Sequence, residues 1–277
     1  MAKIVAGFCV PHDPLMTSTP QIGRQHLADS VLSGMESVYQ RLLELEVDTV
    51  IVIGDDHYTK FGPHCLPQYL IATADIAGPE EPWLNIERYQ LSNNEPLANH
   101  ILNYGFDHGF DWASATSLEL EHGTMVPIHL SVKPKQSGIK TIPVYLAAGV
   151  APLLRMRRAY ELGNMIGDAV MAWEGDERVA VIGTGGLSHW VGTAEMGRVN
   201  VAFDQMVLDH VKSGNADAII KLSDEYVLEH GGNGAFELRN WICAMGVVRA
   251  TGAEHICYEA VNEWVCGCAC TELTFAA

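Results

Sequence analysis

Apolar residues recur along this chain with two different periods. Largely apolar stretches stand at 3–10, 48–53, 65–74, 139–146 and 178–182, as in Asp48-Thr-Val-Ile-Val-Ile53. Runs this short without polar alternation predict strands buried on both faces, as in parallel sheets. Between them, Leu27, Val31, Met35, Val38, Leu42 and Leu45 recur every three or four residues, which predicts an amphipathic helix over 22–45. Further helices are expected at 95–104, 153–173, 199–211, 216–222 and 236–250. Residues 254–261 and 265–275 read as a closing hairpin. The segment 78–91, with Pro79 and Pro82, reads as a long surface loop, of a length that often carries function.

Strand, helix and strand in this order form a parallel βαβ unit. The expected class is α/β, a central and mostly parallel sheet flanked by helices, with a C-terminal hairpin. No repeat, low-complexity stretch or linker interrupts the pattern, so residues 1–277 are expected to form a single catalytic domain.

Charge narrows the choice of partners. Thirty-four acidic residues stand against 17 basic ones, a net charge of −17. That balance argues against nucleic acid or an anionic membrane surface and fits an enzyme of small molecules. No stretch reaches the roughly 20 apolar residues that span a bilayer, and the start of the chain does not read as a secretory leader. Of seven cysteines, Cys266, Cys268 and Cys270 alternate and should share one strand face. They are expected to be buried, reduced thiols in a cytoplasmic protein.

Candidate chemistry gathers where strands end. Val179-Ala-Val-Ile182 stops at Gly183-Thr-Gly-Gly-Leu-Ser188, and the turn then delivers His189. In open α/β sheets, ligands bind beyond the carboxyl ends of such strands. The first strand ends likewise at Val10-Pro-His12-Asp-Pro14, and the second at Gly54-Asp-Asp-His57. His122 lies in a His-Gly turn, and Glu237 opens an apolar helix after His230-Gly-Gly-Asn-Gly234. Two histidines and one carboxylate are the ligand set of non-haem Fe(II) oxygenases, which leave one face of the metal open. Zinc accepts the same ligands, so a zinc hydrolase stays open at this point. Histidines left over would serve as acid and base. His26, His64, His100, His108, His129, His210, His230 and His255 have no evident partner and are expected at the surface or as satisfied core residues.

Five blocks in order, around His12, His57, His122, Gly183–Trp190 and Gly234–Trp241, resemble those of the class III extradiol ring-cleavage dioxygenases, the protocatechuate 4,5-dioxygenase β-subunit type. The resemblance runs over nearly the whole chain. It implies that His12, His57 and Glu237 bind Fe(II), that His189 is the acid/base group, and that His122 orients substrate and oxygen. The stretches around Phe203–Met206, Gly214–Ala216 and Tyr258–Ala260 are most similar to the branch acting on aminobiphenyl-diols and 2-aminophenols. Where relatives of carboxylated catechols carry Ser/Thr, this chain reads Val261-Asn-Glu-Trp-Val-Cys266.

The implied reaction is meta cleavage of a catecholic or 2-aminophenol-type ring with O2, giving a ring-opened semialdehyde-type product. The implied partners are the aromatic substrate and O2. A homo-oligomer, or a complex with a small or homologous subunit that covers the cleft, is expected. A non-catalytic subunit homologous to an active one is the remaining alternative.

Overall fold

The computed structural model describes residues 1–276, and a nine-stranded sheet runs through it. In chain order the strands are β1 (Lys3–Val10), β2 (Thr49–Gly54), β3 (Tyr69–Gly78), β4 (Tyr89–Leu91), β5 (Ala113–Glu119), β6 (Lys140–Leu146), β7 (Arg178–Thr184), β8 (Gly252–Val261) and β9 (Cys266–Thr274). The spatial order is β4-β3-β6-β2-β7-β1-β9-β8, with β5 beside β3. β6, β2, β7 and β1 run parallel, while β3 and the β8–β9 hairpin pair antiparallel at the two flanks. This is the α/β class that the apolar runs imply.

Side-chain alternation along the parallel strands feeds two cores. Ile51, Ile53, Val179 and Val181 face the helices Met156–Ala172 and Leu238–Val248. Val50, Val52, Ala180 and Ile182 face the helix Gln25–Glu44, through Val31, Met35, Val38 and Leu42. Every residue of β2 is buried. The helices Met156–Ala172 and Leu238–Val248 approach each other closely at Gly163, where an added Cβ would lie 2.1 Å from the Cys243 carbonyl oxygen. Cys266, Cys268 and Cys270 are buried together in the second core, on one face of β9.

The expected strand at 65–74 lies later, at Tyr69–Gly78. Gly62 and Cys65 form only an isolated bridge, because Pro63 and Pro67 interrupt any earlier ladder. The expected loop at 78–91 contains a 3-10 turn, Pro82–Leu84, and the edge strand β4. Two elements carried no clear apolar period. β5 reads Ala-Ser-Ala-Thr-Ser-Leu-Glu and is half exposed, while the helix Asp224–Gly231 follows an N-cap at Ser223. Among the described residues, no helix is long and apolar enough to cross a membrane.

Candidate metal centre and its histidines

The carboxyl ends of three neighbouring parallel strands deliver His12, His57 and His189 to one place. Pro11 and Pro14 hold the turn after β1, and Asp13 accepts from Leu15 N at 2.8 Å. After β2, Asp56 receives the backbone amides of Thr59, Lys60 and Phe61 at 2.9–3.1 Å, folding the loop back behind His57.

His12 is buried. Its Nδ1 lies 3.0 Å from Thr184 Oγ1 and 3.1 Å from the Gly123 carbonyl. The Thr184 hydroxyl donates to that same carbonyl at 2.7 Å. Both partners of Nδ1 therefore act as acceptors, so Nδ1 carries the proton and Nε2 keeps its lone pair. His12 Nε2 is buried and makes no hydrogen bond, although Glu237 Oε2 stands 3.2 Å away. A buried nitrogen with a free lone pair, aimed at a carboxylate, is one that could hold a metal ion.

Glu121 organises the next two histidines. Its Oε1 caps the helix His122–Pro127 by accepting from Gly123 N at 2.6 Å. Its Oε2 lies 3.0 Å from His57 Nδ1 and 2.9 Å from His122 Nδ1. His57 Nε2 consequently points at Glu237 Oε1, 3.2 Å away. The His57 and His122 rings stack with centroids 4.1 Å apart. Glu81 grips His122 from the other side, with one oxygen 2.7 Å from its backbone amide and the other 2.6 Å from Nδ1. Burial works against a charged His122, but the Glu121 carboxylate outweighs it and holds the pKa up to about 9.

Glu237 closes the set from below. It ends the 3-10 turn Gly234–Glu237, one step before the helix Leu238–Val248. The Gly-rich approach to this turn has a steric cause. A Cβ at Gly234 would stand 2.0 Å from His189 Nε2, and one at Gly185 would stand 2.7 Å from Glu237 Cβ. Gly185 also holds φ at +130°, a region open only to glycine in practice. The amide of Gly186 donates to Glu237 Oε2 at 2.7 Å. Burial would raise the Glu237 pKa, but His12 and His189 outweigh it and hold the group well below the usual carboxylate range.

His189 presents Nε2 to Glu237 Oε1 at 3.5 Å, while its Nδ1 lies 3.2 Å from the Leu187 carbonyl. Asp204 braces its turn, accepting from Ser188 N at 2.7 Å and from the Tyr258 hydroxyl at 2.8 Å.

All five residues singled out from the sequence, His12, His57, His122, His189 and Glu237, thus converge. Ligand atoms of His12, Asp55, His57 and Glu237 lie within 4.8 Å of one another, as do those of His57, Glu121 and His122. Asp55, held by Asn240 Nδ2 at 2.8 Å, was given no role from the sequence, nor were Glu81, Glu121, Thr184 and Asp204. Asp55 and Glu121 each adjoin a recognised histidine block, which was the available signal. Glu81 lies in the expected loop 78–91 and Asp204 in the expected helix 199–211, and neither segment marked the carboxylate itself as part of the site. Among the described residues, none of the other eight histidines joins a cluster that could hold a metal.

Comparison with known proteins places this geometry in a family. A model described as the catalytic LigB subunit of aromatic ring-opening dioxygenase matches residues 6–268. A 2,3-dihydroxyphenylpropionate/2,3-dihydroxicinnamic acid 1,2-dioxygenase of Mycolicibacterium gilvum is 26% identical, covering 96% of this chain and 97% of that protein. A protein of the same description from Photorhabdus laumondii is 24% identical, covering 95% of each. The crystal structure of an uncharacterized Escherichia coli K12 protein shares the fold, with a TM-score of 0.65 at 9% identity over 97% of this chain and 99% of that one. The chain belongs to the family of the catalytic LigB subunit of aromatic ring-opening dioxygenases.

Proposed function

We propose that this chain is an Fe(II)-dependent extradiol dioxygenase that opens a catecholic or 2-aminophenol-type ring beside its ortho substituents. The observation that carries this reading is the fixed tautomer pair. His12 and His57 each commit Nδ1 to an acceptor, and both Nε2 atoms face the carboxylate of Glu237. Two imidazole nitrogens and one carboxylate suit a divalent first-row metal and leave coordination positions open. The unbonded, buried Nε2 of His12 fits the same role. His12, His57 and Glu237 would hold the metal, with Asp55 a further carboxylate at its edge. Fe(II) held there supplies the redox chemistry that couples ring and dioxygen.

The remaining residues handle protons and position. His189 donates Nδ1–H to the Leu187 carbonyl, which leaves Nε2 as the base facing the site. It takes the proton of a substrate hydroxyl and later returns one to the opening ring. His122, kept charged by Glu121, serves as hydrogen-bond donor and orients the substrate. One ring C–C bond breaks and both atoms of O2 enter the product, an acid with a semialdehyde-type group. We take residues 1–277 as one catalytic domain, supported by a single sheet that uses strands from Lys3 to Thr274. A cytoplasmic location, supported by seven free thiols, and an oligomer or partner subunit over the cleft belong to the same reading.

Metal analysis of anaerobically prepared protein, with oxygen uptake on a panel of catechols and 2-aminophenols, tests it. Stoichiometric iron and ring-dependent uptake are expected. Stoichiometric zinc without uptake would contradict it and favour a hydrolase.

A further inference from the structure

The segment between β3 and β4 lies beside the site. Its path is pinned at three points. Glu80 N donates to the Leu120 carbonyl at 2.9 Å, Glu81 clasps His122, and Asn85 Nδ2 donates to the Ser18 carbonyl at 2.8 Å. Leu84 is wholly buried and roots the turn in the core. Trp83, next to it, is 51% exposed, and its ring lies 6.1 Å from that of His122, tilted by 50°. A large apolar ring is thus held open to solvent on a fixed turn, beside a histidine that stacks on a proposed ligand. Such an indole is a ready stacking partner for an aromatic or apolar group.

Charge limits what that group can be. Glu80, Glu81 and Glu87 lie on this segment. The cations beside it are already engaged, Lys60 with Glu80 at 2.6 Å, Lys135 with Glu87 at 2.7 Å, Arg88 with Glu119, and His122 with Glu81 and Glu121. An anionic substituent would find these cations already paired with carboxylates, whereas an uncharged one would meet the indole face with no solvation of charge to lose.

We propose that Trp83 is a specificity-determining residue, the wall that receives an uncharged, apolar substituent next to the ring hydroxyls. The inference rests on the ring-cleavage reading for the placement of the ring.

Anaerobic calorimetry on the iron-loaded protein tests it, with catechol, 3-phenylcatechol and 3-(2,3-dihydroxyphenyl)propionate as probes. Wild type should bind 3-phenylcatechol most tightly. Trp83→Ala should weaken 3-phenylcatechol roughly tenfold, the loss of one aromatic contact, with little change for catechol. Trp83→Phe should recover most of the difference. Equal loss on both neutral rings, no loss on either, no binding of either, or tightest binding of the propionate would overturn the proposal. Oxygen uptake measured alongside separates the two readings. Binding that follows Trp83 without any uptake sinks the reaction and leaves the wall standing.

Discussion

Glu121 Oε2 accepts the Nδ1–H of His57 across 3.0 Å, and this contact fixes which nitrogen of His57 faces Glu237. Carboxylates behind ligand histidines typically contribute about 10–100-fold to metal affinity. Glu121→Ala should therefore weaken Fe(II) binding by roughly that factor. Iron titration of the apoprotein, monitored by retained metal, checks it, and an unchanged affinity would remove Glu121 from this role.

Thr184 acts on His12 in the same manner, at 3.0 Å. Thr184→Val keeps the side-chain shape and deletes the acceptor. Fe(II) should bind more weakly, and unfolding stability should fall by about 0.5–1.5 kcal/mol, because the hydroxyl's hydrogen bonds are lost while Nδ1–H keeps the Gly123 carbonyl. Denaturant unfolding and iron titration read the two effects separately.

Two glycines divide the site. A methyl at Gly234 would press on His189 Nε2, while one at Gly185 would press on Glu237 and strain φ +130°. Gly234→Ala should keep iron yet lose turnover on the order of 10²-fold through a displaced base. Gly185→Ala should lose iron. Iron content of the two purified variants checks the division.

Much of this was legible in the sequence because it follows from local order. β2 and β7 are uninterrupted apolar runs, and His57 and His189 follow them at the strand ends where ligands bind. Glu237 announced itself through the glycines that let it approach His189. β5 was illegible because an edge strand of Ala, Ser and Thr has no buried face to impose alternation. Glu81 and Asp204 were illegible for another reason. Their partners, His122 and Ser188, are distant in sequence, and only the fold makes a solvated-looking acid into a buried brace.

Asp204 carries a pH signature. Burial pushes its pKa up to about 6, above the ordinary Asp value near 3.8. The folded state therefore holds a proton that the unfolded chain releases. The stabilisation is complete below about pH 3.8 and is lost as pH rises through about 6. A shift of this size is worth on the order of 2–3 kcal/mol. Asp204→Asn lacks this titration, so its stability relative to wild type should improve between pH 4.5 and pH 7.5. Urea unfolding at both values checks the sign, and a relative loss on raising the pH would contradict it.

Paired replacement of His189 and Glu237 separates proton chemistry from metal binding. His189→Ala should retain stoichiometric iron while oxygen uptake on its best ring falls roughly 10²–10⁴-fold, the usual scale of acid–base catalysis. Glu237→Ala should lose iron and uptake together. Iron content and catechol-dependent oxygen uptake, measured on the same preparations, decide the matter. Full uptake with stoichiometric iron in Glu237→Ala, or loss of iron from His189→Ala alone, would contradict the assignment of these residues.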